Sequence, residues 1–561
     1  MQNSEFAKLF YEISELLELK NENPFKIRAY QKAARNVEDL SKNLTEIYKS
    51  DGLKGLEEIP GIGKNIAEHI EEIIKTGKLK KYESLKKEFP RGLIELTNIP
   101  GMGPKTAIKL RKELGIDSVK KLEAAAKAGK INNAANILRG IDLKKRSRGR
   151  YLIDDAASHA ELIVNELKKI KGIKKILPCG SLRRGQETVG DLDILVVSEN
   201  PGPVMDAFTR LPYVKNILAK GKTKSSVILK NGMQADLRVV PEKSFGAAAH
   251  YFTGCRAHNI HIRQLAQKKG WKVSEYGIFK GKKQIGGETE EDLFEKFGLQ
   301  YIPPELREMR GEFEAAAKDQ IPKLVELKDI KGDLHMHTKA TDGANTIAEM
   351  AEAAKKLGYE YILITDHTKS TRVAHGLTGK EMLGHLGKIK SIKGIKVLAG
   401  VEVDILKDGS LDYPDEILKQ FDLVVASIHS NFKMPKEQMT ARVIRAFQNK
   451  YVNIFSHPTG RLINEREPYQ IDLEEILKAA KKYNVAIEVN AHPKRLDLTD
   501  IWCKRAKELG VKVVVSTDAH STDQLQLMKY GILTARRGWL EKKNVLNCLS
   551  HDKLLKSLHA K

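Results

Sequence analysis

Cysteine is scarce in this sequence. Four residues, Cys179, Cys255, Cys503 and Cys548, are scattered over 561 positions. They show no paired zinc spacing and no disulfide framework, so they are read as reduced and structural. Long apolar runs are missing too. No stretch approaches the ~20 residues needed to span a bilayer, so no membrane partner is expected. The opening residues, Met1-Gln2-Asn3-Ser4-Glu5, lack a secretory pattern. An intracellular, cytoplasmic protein is expected. Acidic residues are outnumbered, 73 against 97 basic, for a net charge of +24. Such an excess favours a polyanionic partner, because Lys and Arg displace condensed counterions from nucleic acid. A basic chain can also be merely soluble, so charge alone does not decide the point.

The length allows three or four domains, and 41% hydrophobic with 30% charged residues suits a soluble globular protein. The basic excess is shared along the chain, since residues 331–561 still carry 37 basic against 28 acidic side chains. Histidine is less even, with eleven of 16 beyond residue 334. That shift points to a separate C-terminal domain with its own chemistry.

The first 140 residues read as short amphipathic helices broken by Gly and Pro. Ile59-Pro60-Gly61-Ile62-Gly63-Lys64 returns as Ile99-Pro100-Gly101-Met102-Gly103-Pro104, each copy ahead of a helical pattern. A Gly-x-Gly turn before a helix exposes successive backbone N–H groups, and the helix dipole adds to them, so the turn favours one phosphate. No base edge is read. One copy could be a plain helical corner; two copies in one frame make a DNA-backbone contact the better reading, with Gly61, Gly63, Gly101 and Gly103 at the phosphates.

From about 150 to 245 a helix (154–169) leads into strand-like runs at 175–179, 192–197, 226–229 and 235–240. Asp191 and Asp193 are two apart in a strand and share a face, while Leu192 and Ile194 take the other. Neighbouring carboxylates repel unless a cation sits between them. Asp236 is a third carboxylate on another strand. An Asp-x-Asp pair alone is usually a solvated strand end. Gly180-Ser181 ahead of Asp191 changes that, because it offers a phosphate cradle beside a metal-binding trio. In this reading Ser181 and Arg184 hold phosphate oxygens, and Asp236 accepts the proton of an attacking hydroxyl.

A connector is expected at 318–330. From 331 on, apolar runs (361–364, 397–399, 423–425, 485–487, 511–515) alternate with helical patterns, which implies parallel strands in an α/β barrel. His335, His337, Asp342, His367, Glu402, His429, His457, Asp518 and His520 sit mostly just after such runs, at the rim where α/β folds place their chemistry. A lone His is more often structural, but nine such residues are not explained by packing. Mixed imidazole and carboxylate ligation suits Mn²⁺, Zn²⁺ or Fe²⁺ better than Mg²⁺ or Ca²⁺. Arg461 and Lys494 lie near these segments and are candidate phosphate contacts, and His492 is read as structural or supporting.

Gly180-Ser181-Leu182-Arg183-Arg184-Gly185 with Gly190-Asp191-Leu192-Asp193 resembles the nucleotidyltransferase superfamily, and with Tyr251-Phe252-Thr253-Gly254 it resembles the family X DNA polymerases. The resemblance implies a palm with Mg²⁺ (or Mn²⁺) on Asp191, Asp193 and Asp236. It places Gly180, Ser181, Arg184, Gly190 and Gly254 around the nucleotide. Tyr251 and Phe252 would lie against the sugar, Asn259 at the incoming base and Arg263 at the template. Arg256 departs from the animal members, which carry an acidic residue there. Residues 24–80 resemble their small N-terminal domain, with Lys26 and Tyr30 at a 5′-phosphate pocket. The position of its lyase lysine falls on His69, and imidazole forms no stable iminium. Gapped-DNA binding with weak or absent lyase activity is therefore expected.

The histidine-rich set resembles the polymerase and histidinol phosphatase (PHP) domain. This implies a distorted seven-stranded β/α barrel with a trinuclear Mn²⁺, Zn²⁺ or Fe²⁺ site, 3′→5′ exonuclease and 3′-end phosphoesterase reactions, and room for abasic-site cleavage. The expected architecture is multidomain α+β. A lyase-like helix-hairpin-helix domain spans 1–82 and a second helical duplex-binding domain 83–148. A nucleotidyltransferase palm follows at 149–245, a nucleotide-selecting thumb at 246–317, a linker at 318–330 and the PHP barrel at 331–561. The expected partners are gapped or nicked DNA and deoxynucleoside triphosphates, and the expected state is a monomer. Two other readings are a template-independent nucleotidyltransferase, against which the glycine hairpins and Tyr251-Phe252 argue, and a DNA end-binding scaffold, against which the filled metal positions argue.

Overall fold

The structure is a computed structural model that describes residues 3–559, apart from 21, 39, 41–42, 60, 90–91, 94–95, 97–103, 132–133, 135–136, 139–140 and 142–149. Contacts divide the chain into two units. One holds Met1–Arg150 with Asn231–Met233, and the other holds Tyr151–Lys230 with Gln234–Lys561. Among the described residues no helix is long and apolar enough to cross a membrane.

The first unit is helical. Helices Asn3–Leu19, Pro24–Glu38, Leu44–Glu57 and Lys64–Thr76 bury one stripe each around Phe6, Phe10, Ala33, Leu56 and Ile70. Helices Pro104–Leu114 and Val119–Lys127 share a second apolar cluster that includes Ala107, Leu110 and Leu122. Gly61 turns the chain at φ +85°, and Gly63 caps helix Lys64–Thr76 without a side-chain bond. Gly101 and Gly103 lie outside the described residues.

The second unit opens with a five-stranded sheet: β1 (Lys175–Pro178), β2 (Asp191–Val197), β3 (Val214–Lys220), β4 (Lys224–Leu229) and β5 (Gln234–Val240), in spatial order β1-β2-β5-β4-β3. Strands β2 and β5 run parallel; the other neighbours are antiparallel. Helix Ile153–Leu167 turns Ile153, Ala156, Ala160 and Ile163 inward, a 3.6-residue stripe. Strand β3 was not foreseen. It is a mostly exposed edge that interleaves Lys215, Asn216 and Lys220 with apolar residues, so it offers no buried face to read. A small antiparallel sheet follows: β6 (Lys272–Ser274), β7 (Gly277–Lys280) and β8 (Lys283–Gly286).

Seven parallel strands come last: β9 (Gly332–Asp333), β10 (Tyr361–Ile364), β11 (Lys396–Asp404), β12 (Leu423–Ser427), β13 (Val452–Phe455), β14 (Ala486–Asn490) and β15 (Val513–Ser516), paired in chain order. A parallel bridge between Met336 and Ala519, with the His337 amide donating to the Ala519 carbonyl at 2.8 Å, brings the two edges together and nearly closes a barrel. Alternate residues along the strands (Tyr361 and Leu363, Leu423 and Val425) form one apolar cluster, to which the last helix adds Leu554 and Leu558. The other face packs on the surrounding helices, two of which start at capping boxes, Thr346 with Glu349 and Thr378 with Glu381. Residues 318–330 are not a loose tether. The Val325 amide donates to the Leu540 carbonyl at 2.9 Å, and Leu324 bridges to Glu541.

Candidate active sites

Register assembles the first site. In the parallel β2–β5 pair Asp193 stands opposite Asp236, and Asp191 lies two residues before Asp193 on the same face. Leu192 and Ile194 are buried on the other face, as alternation requires. The Asp193 carboxyl is pushed up to about 7 by burial, and by the neighbouring Asp191 and Asp236 charges. Asp236 is bound by Gln234 Nε2 at 2.9 Å and by Lys224 Nζ at 3.0 Å.

Helix Gly180–Arg183 abuts this trio. The Cys179 amide donates to the Asp193 carbonyl at 2.7 Å. Gly180 takes φ +63°, which favours glycine, and a Cβ there would displace Asp193 Oδ2. Ser181 lies in the first turn of that helix and Gly190 immediately precedes Asp191. Arg184 is not free in this arrangement: its Nε donates to Glu308 Oε1 at 2.8 Å and its Nη1 to the Thr253 carbonyl at 2.6 Å. Arg183 forms a two-pronged bond to Glu290.

Helix Phe245–Thr253 carries Tyr251 and Phe252, whose rings meet edge-on at 5.1 Å. Tyr251 is exposed. Asn259 donates to the Tyr251 carbonyl at 2.6 Å, and its buried Oδ1 lacks a hydrogen-bond partner. Gly254 leaves no room for a Cβ beside that Oδ1. Arg263 and Arg256 are exposed on the same helix, Arg256–Lys268.

The second site is the carboxyl end of the barrel. All nine expected residues converge there. His335 and His337 follow β9, His367 follows β10, Glu402 lies in β11, His429 follows β12, His457 follows β13, and Asp518 and His520 follow β15. Three overlapping groups form, His337–Asp342–His367–His520, His335–His337–Asp518 and His367–Glu402–His429, each with ligand atoms within 4.8 Å of one another. His457 Nε2 lies 3.0 Å from Glu402 Oε1. His457 and Asp518 hold positive φ, 26° and 54°, backbone geometry that persists where surroundings over-determine it.

The electrostatics fit cations. Burial alone would raise Glu402, but His429, His367 and His335 hold it well below its usual range. Burial would lower His367, yet Glu402 and Asp342 lift it to about 10. Buried His335 Nε2, His337 Nδ1, His457 Nδ1 and Glu402 Oε2 make no hydrogen bond. A buried ring nitrogen without a hydrogen bond, set 3.5 Å from Asp518 and 3.6 Å from Glu402 as His335 Nε2 is, suits a metal ligand.

Sequence reading missed the supporting side chains. Glu488, fully buried in β14, binds His335 Nδ1 at 2.8 Å and accepts the His457 amide at 2.7 Å. Asp404 binds His429 Nδ1 at 3.0 Å, and Asn490 donates to Asp518 at 3.1 Å. An acid inside the apolar run 485–489 was the available signal. Two further candidates, Arg461 and Lys494, are paired with acids in this structure. Arg461 is not a free phosphate contact: its guanidinium is buried against Glu187 at 2.6 Å and against the Arg495 and Leu496 carbonyls. Lys494 pairs with Glu465 at 2.6 Å. In the first unit Lys26 pairs with Glu22 at 3.2 Å. Tyr30 is buried, with its hydroxyl 2.9 Å from His69 Nδ1 and 2.8 Å from Lys81 Nζ.

Family models match five stretches: helix-hairpin-helix domain (1–79), SAM-like helix-hairpin-helix tandem (93–137), DNA polymerase beta palm (153–260), DNA polymerase beta thumb (248–308) and PHP domain (333–492). The DNA polymerase/3′-5′ exonuclease PolX of Bacillus subtilis (strain 168) is 41% identical over 569 aligned positions, covering 98% of each chain. A probable phosphatase of Thermoanaerobacter sp. (strain X514) is 34% identical over 230 positions, 38% of this chain and 89% of that one. A probable phosphatase of Acetivibrio thermocellus is 32% identical over 201 positions, 34% and 78%. The fold and its two sites define a polymerase palm and thumb joined to a PHP barrel. The chain belongs to the family X DNA polymerases, in the form that carries a C-terminal PHP domain.

Proposed function

We propose that the protein is a DNA-directed DNA polymerase that fills short gaps in base excision repair, with a separate metal-dependent 3′→5′ exonuclease and 3′-end phosphoesterase in its PHP barrel. The observation that carries the polymerase is the in-register pair Asp193 and Asp236 with Asp191, closed on one side by Gly180. In this reading Asp191, Asp193 and Asp236 hold Mg²⁺ or Mn²⁺, which supplies charge to the reacting phosphates. Asp236 receives the proton of the primer 3′-hydroxyl. Gly180, Ser181 and Gly190 line the triphosphate, and Arg184 reaches it by releasing Glu308. Tyr251 and Phe252 present a ring surface to the sugar and exclude a 2′-hydroxyl, Gly254 leaves room beside them, Asn259 meets the base and Arg263 the template.

In the barrel, His335, His337, Asp342, His367, Glu402, His429, His457, Asp518 and His520 hold a Mn²⁺, Zn²⁺ or Fe²⁺ cluster, which supplies an activated water and a clamp for the phosphate ester. Abasic-site cleavage fits the same centre. Gapped or nicked DNA is held through Lys26, Tyr30 and the backbone amides at Gly61, Gly63, Gly101 and Gly103. The working boundaries are 1–82, 83–148, 149–245, 246–317, 318–330 and 331–561, in a cytoplasmic monomer.

The test is separation of function on gapped duplex. Asp193→Ala is expected to abolish template-dependent incorporation and keep nuclease activity, and His335→Ala with His337→Ala to do the reverse. Loss of both activities with either change rejects the two-site reading.

A further inference from the structure

The back of the phosphate cradle rests on the PHP barrel. Helix Met528–Arg537 follows the last barrel strand, and its Leu533 Cβ stands 3.1 Å from where a Gly185 Cβ would be. Ile153, Leu182, Leu496, Tyr530 and Leu533 share one apolar cluster. At the end of that helix Arg537 is almost fully buried, only 5% exposed.

Arg537 reaches across the joint through Nη1 and stays tied to the barrel through Nη2. Its Nη1 donates to Glu308 Oε1 at 3.0 Å and to the Arg184 carbonyl at 2.9 Å, and its Nη2 donates to Asp500 Oδ2 at 2.7 Å. Asp500 also takes Arg310 at 2.8 Å. Glu308 Oε1 accepts from Arg184 at 2.8 Å and from Gln186 at 2.6 Å as well. Three arginines thus serve two acids, so Glu308 keeps a cation when Arg184 leaves. That sharing has a consequence for nucleotide binding. A buried carboxylate stripped of its only cation pays a large desolvation cost, and it holds that cation hard. Arg184 can exchange Glu308 for a triphosphate oxygen cheaply only while Arg537 stays on Glu308.

We propose that Arg537, a residue of the barrel half, is a positioning residue for the polymerase: it neutralises Glu308 and fixes the Arg184 carbonyl, so that the Arg184 guanidinium is available to the incoming nucleotide. This rests on the reading of Arg184 as a phosphate ligand. It makes the nuclease domain a structural part of the polymerase site.

The full chain is assayed for single-nucleotide insertion on gapped DNA, with KM for the deoxynucleotide and kcat measured separately. Arg537→Gln is expected to raise KM about tenfold with kcat changed less than threefold, while hydrolysis of bis(p-nitrophenyl) phosphate by the barrel is kept as the check on folding. Adding Glu308→Gln removes the trap, and the double variant is expected to recover most of the lost KM. An unchanged KM in Arg537→Gln, or a double variant no better than the single one, overturns the proposal. If Arg537→Gln does not fold, Arg537→Lys replaces it: the lysine reaches one acid at a time, so KM rises unless Glu308→Gln is added. Arg184→Gln separates the two layers. If it leaves KM unchanged, the phosphate-ligand reading of Arg184 fails; if it raises KM where Arg537→Gln does not, only the positioning role fails.

Discussion

Asp193 and Asp236 stand directly opposite each other on adjacent parallel strands, and burial with the neighbouring acids drives the Asp193 carboxyl up to about 7. Two carboxylates in that register, with Asp191 beside them, repel in a partly buried place. The protonated form of Asp193 relieves the repulsion, and so does a divalent cation.

That competition predicts how the metal requirement depends on pH. The ordinary carboxylate value is 3.8 and the folded value is about 7, so the folded chain binds the extra proton between those limits. By itself the shift makes the metal-free fold lose stability as pH rises through that window. Metal binding needs the ionised form and runs the opposite way. The apparent Mg²⁺ affinity is expected to weaken about tenfold per unit below pH 7 and to be flat above it. Mg²⁺ titrations of primer extension at pH 6, 7 and 8 check this, and a requirement that does not change over that range refutes it.

Gly180 gives a steric prediction on the same site. Its φ of +63° disfavours any side chain, and its Cα faces Asp193 Oδ2 with no space for a methyl group. Gly180→Ala must move the carboxylate or the helix Gly180–Arg183. Polymerisation is expected to fall at least 100-fold, since about 1 Å of misplacement at a reacting centre costs that much. Nuclease activity is expected to persist. Near-normal primer extension by Gly180→Ala would show that the cradle is not set by this contact.

How much of this was legible differs between the two halves of each site. Asp191 and Asp193 declare their shared face by spacing alone, and most of the nine candidate barrel ligands stand out because they follow apolar runs. Register is not written in spacing, so the sequence left the Asp193–Asp236 pairing to the fold. Strand β13, Val452–Phe455, has Asn453 inside it, so it shows no continuous apolar run of the kind that marks β10. Arg461 misled for a different reason. Its charge near a metal ligand suggests a phosphate contact, but its partner Glu187 is 274 positions away, and only tertiary packing brings them to 2.6 Å. Glu488 was hidden because an acid in a buried strand reads as an interruption until its histidine partner is seen.

Glu488 supports a prediction of its own. It orients His335 through Nδ1 and anchors the His457 backbone, so it touches two candidate ligands without being one. Removing such a support typically lowers metal affinity 10–100-fold. Glu488→Gln is expected to leave polymerase activity intact and to require higher Mn²⁺ for exonuclease activity, with maximal rate restored at saturating metal. Metal titration of 3′-end resection reads this directly. Unchanged metal dependence would reduce Glu488 to a packing residue.

Chelation should also be visible as stability. The barrel centre gathers acids and imidazoles whose Glu402, His335, His337 and His457 atoms are buried without hydrogen bonds. Ions bound there stabilise the fold by mass action, by about 4 kcal/mol at a thousandfold excess over Kd. Prolonged chelation is expected to lower the melting temperature of the full chain by several degrees, and Mn²⁺ or Zn²⁺ to restore it. The His335→Ala, His337→Ala variant should show little of this response. An equal response in that variant would place the stabilising ion elsewhere.

The last prediction concerns the first unit. The family resemblance puts His69 where a lyase lysine is expected, and its half-buried ring stacks on Tyr30, with Tyr30 OH 2.9 Å from Nδ1. Its basicity is lowered by burial and by Lys81. Imidazole does not form a stable iminium with an aldehyde, so this group cannot replace an amine. Lys81 is the amine next to it. Burial lowers its basicity, with Lys26 adding to the effect, and its Nζ is held 2.8 Å from Tyr30 OH. Borohydride trapping on DNA with a 5′ abasic sugar is expected to give little covalent adduct, and that residue is expected to disappear in Lys81→Ala and persist in Lys64→Ala. A strong adduct lost on Lys64→Ala would instead place a competent lyase amine at the start of helix Lys64–Thr76, directly after the Gly61–Gly63 turn.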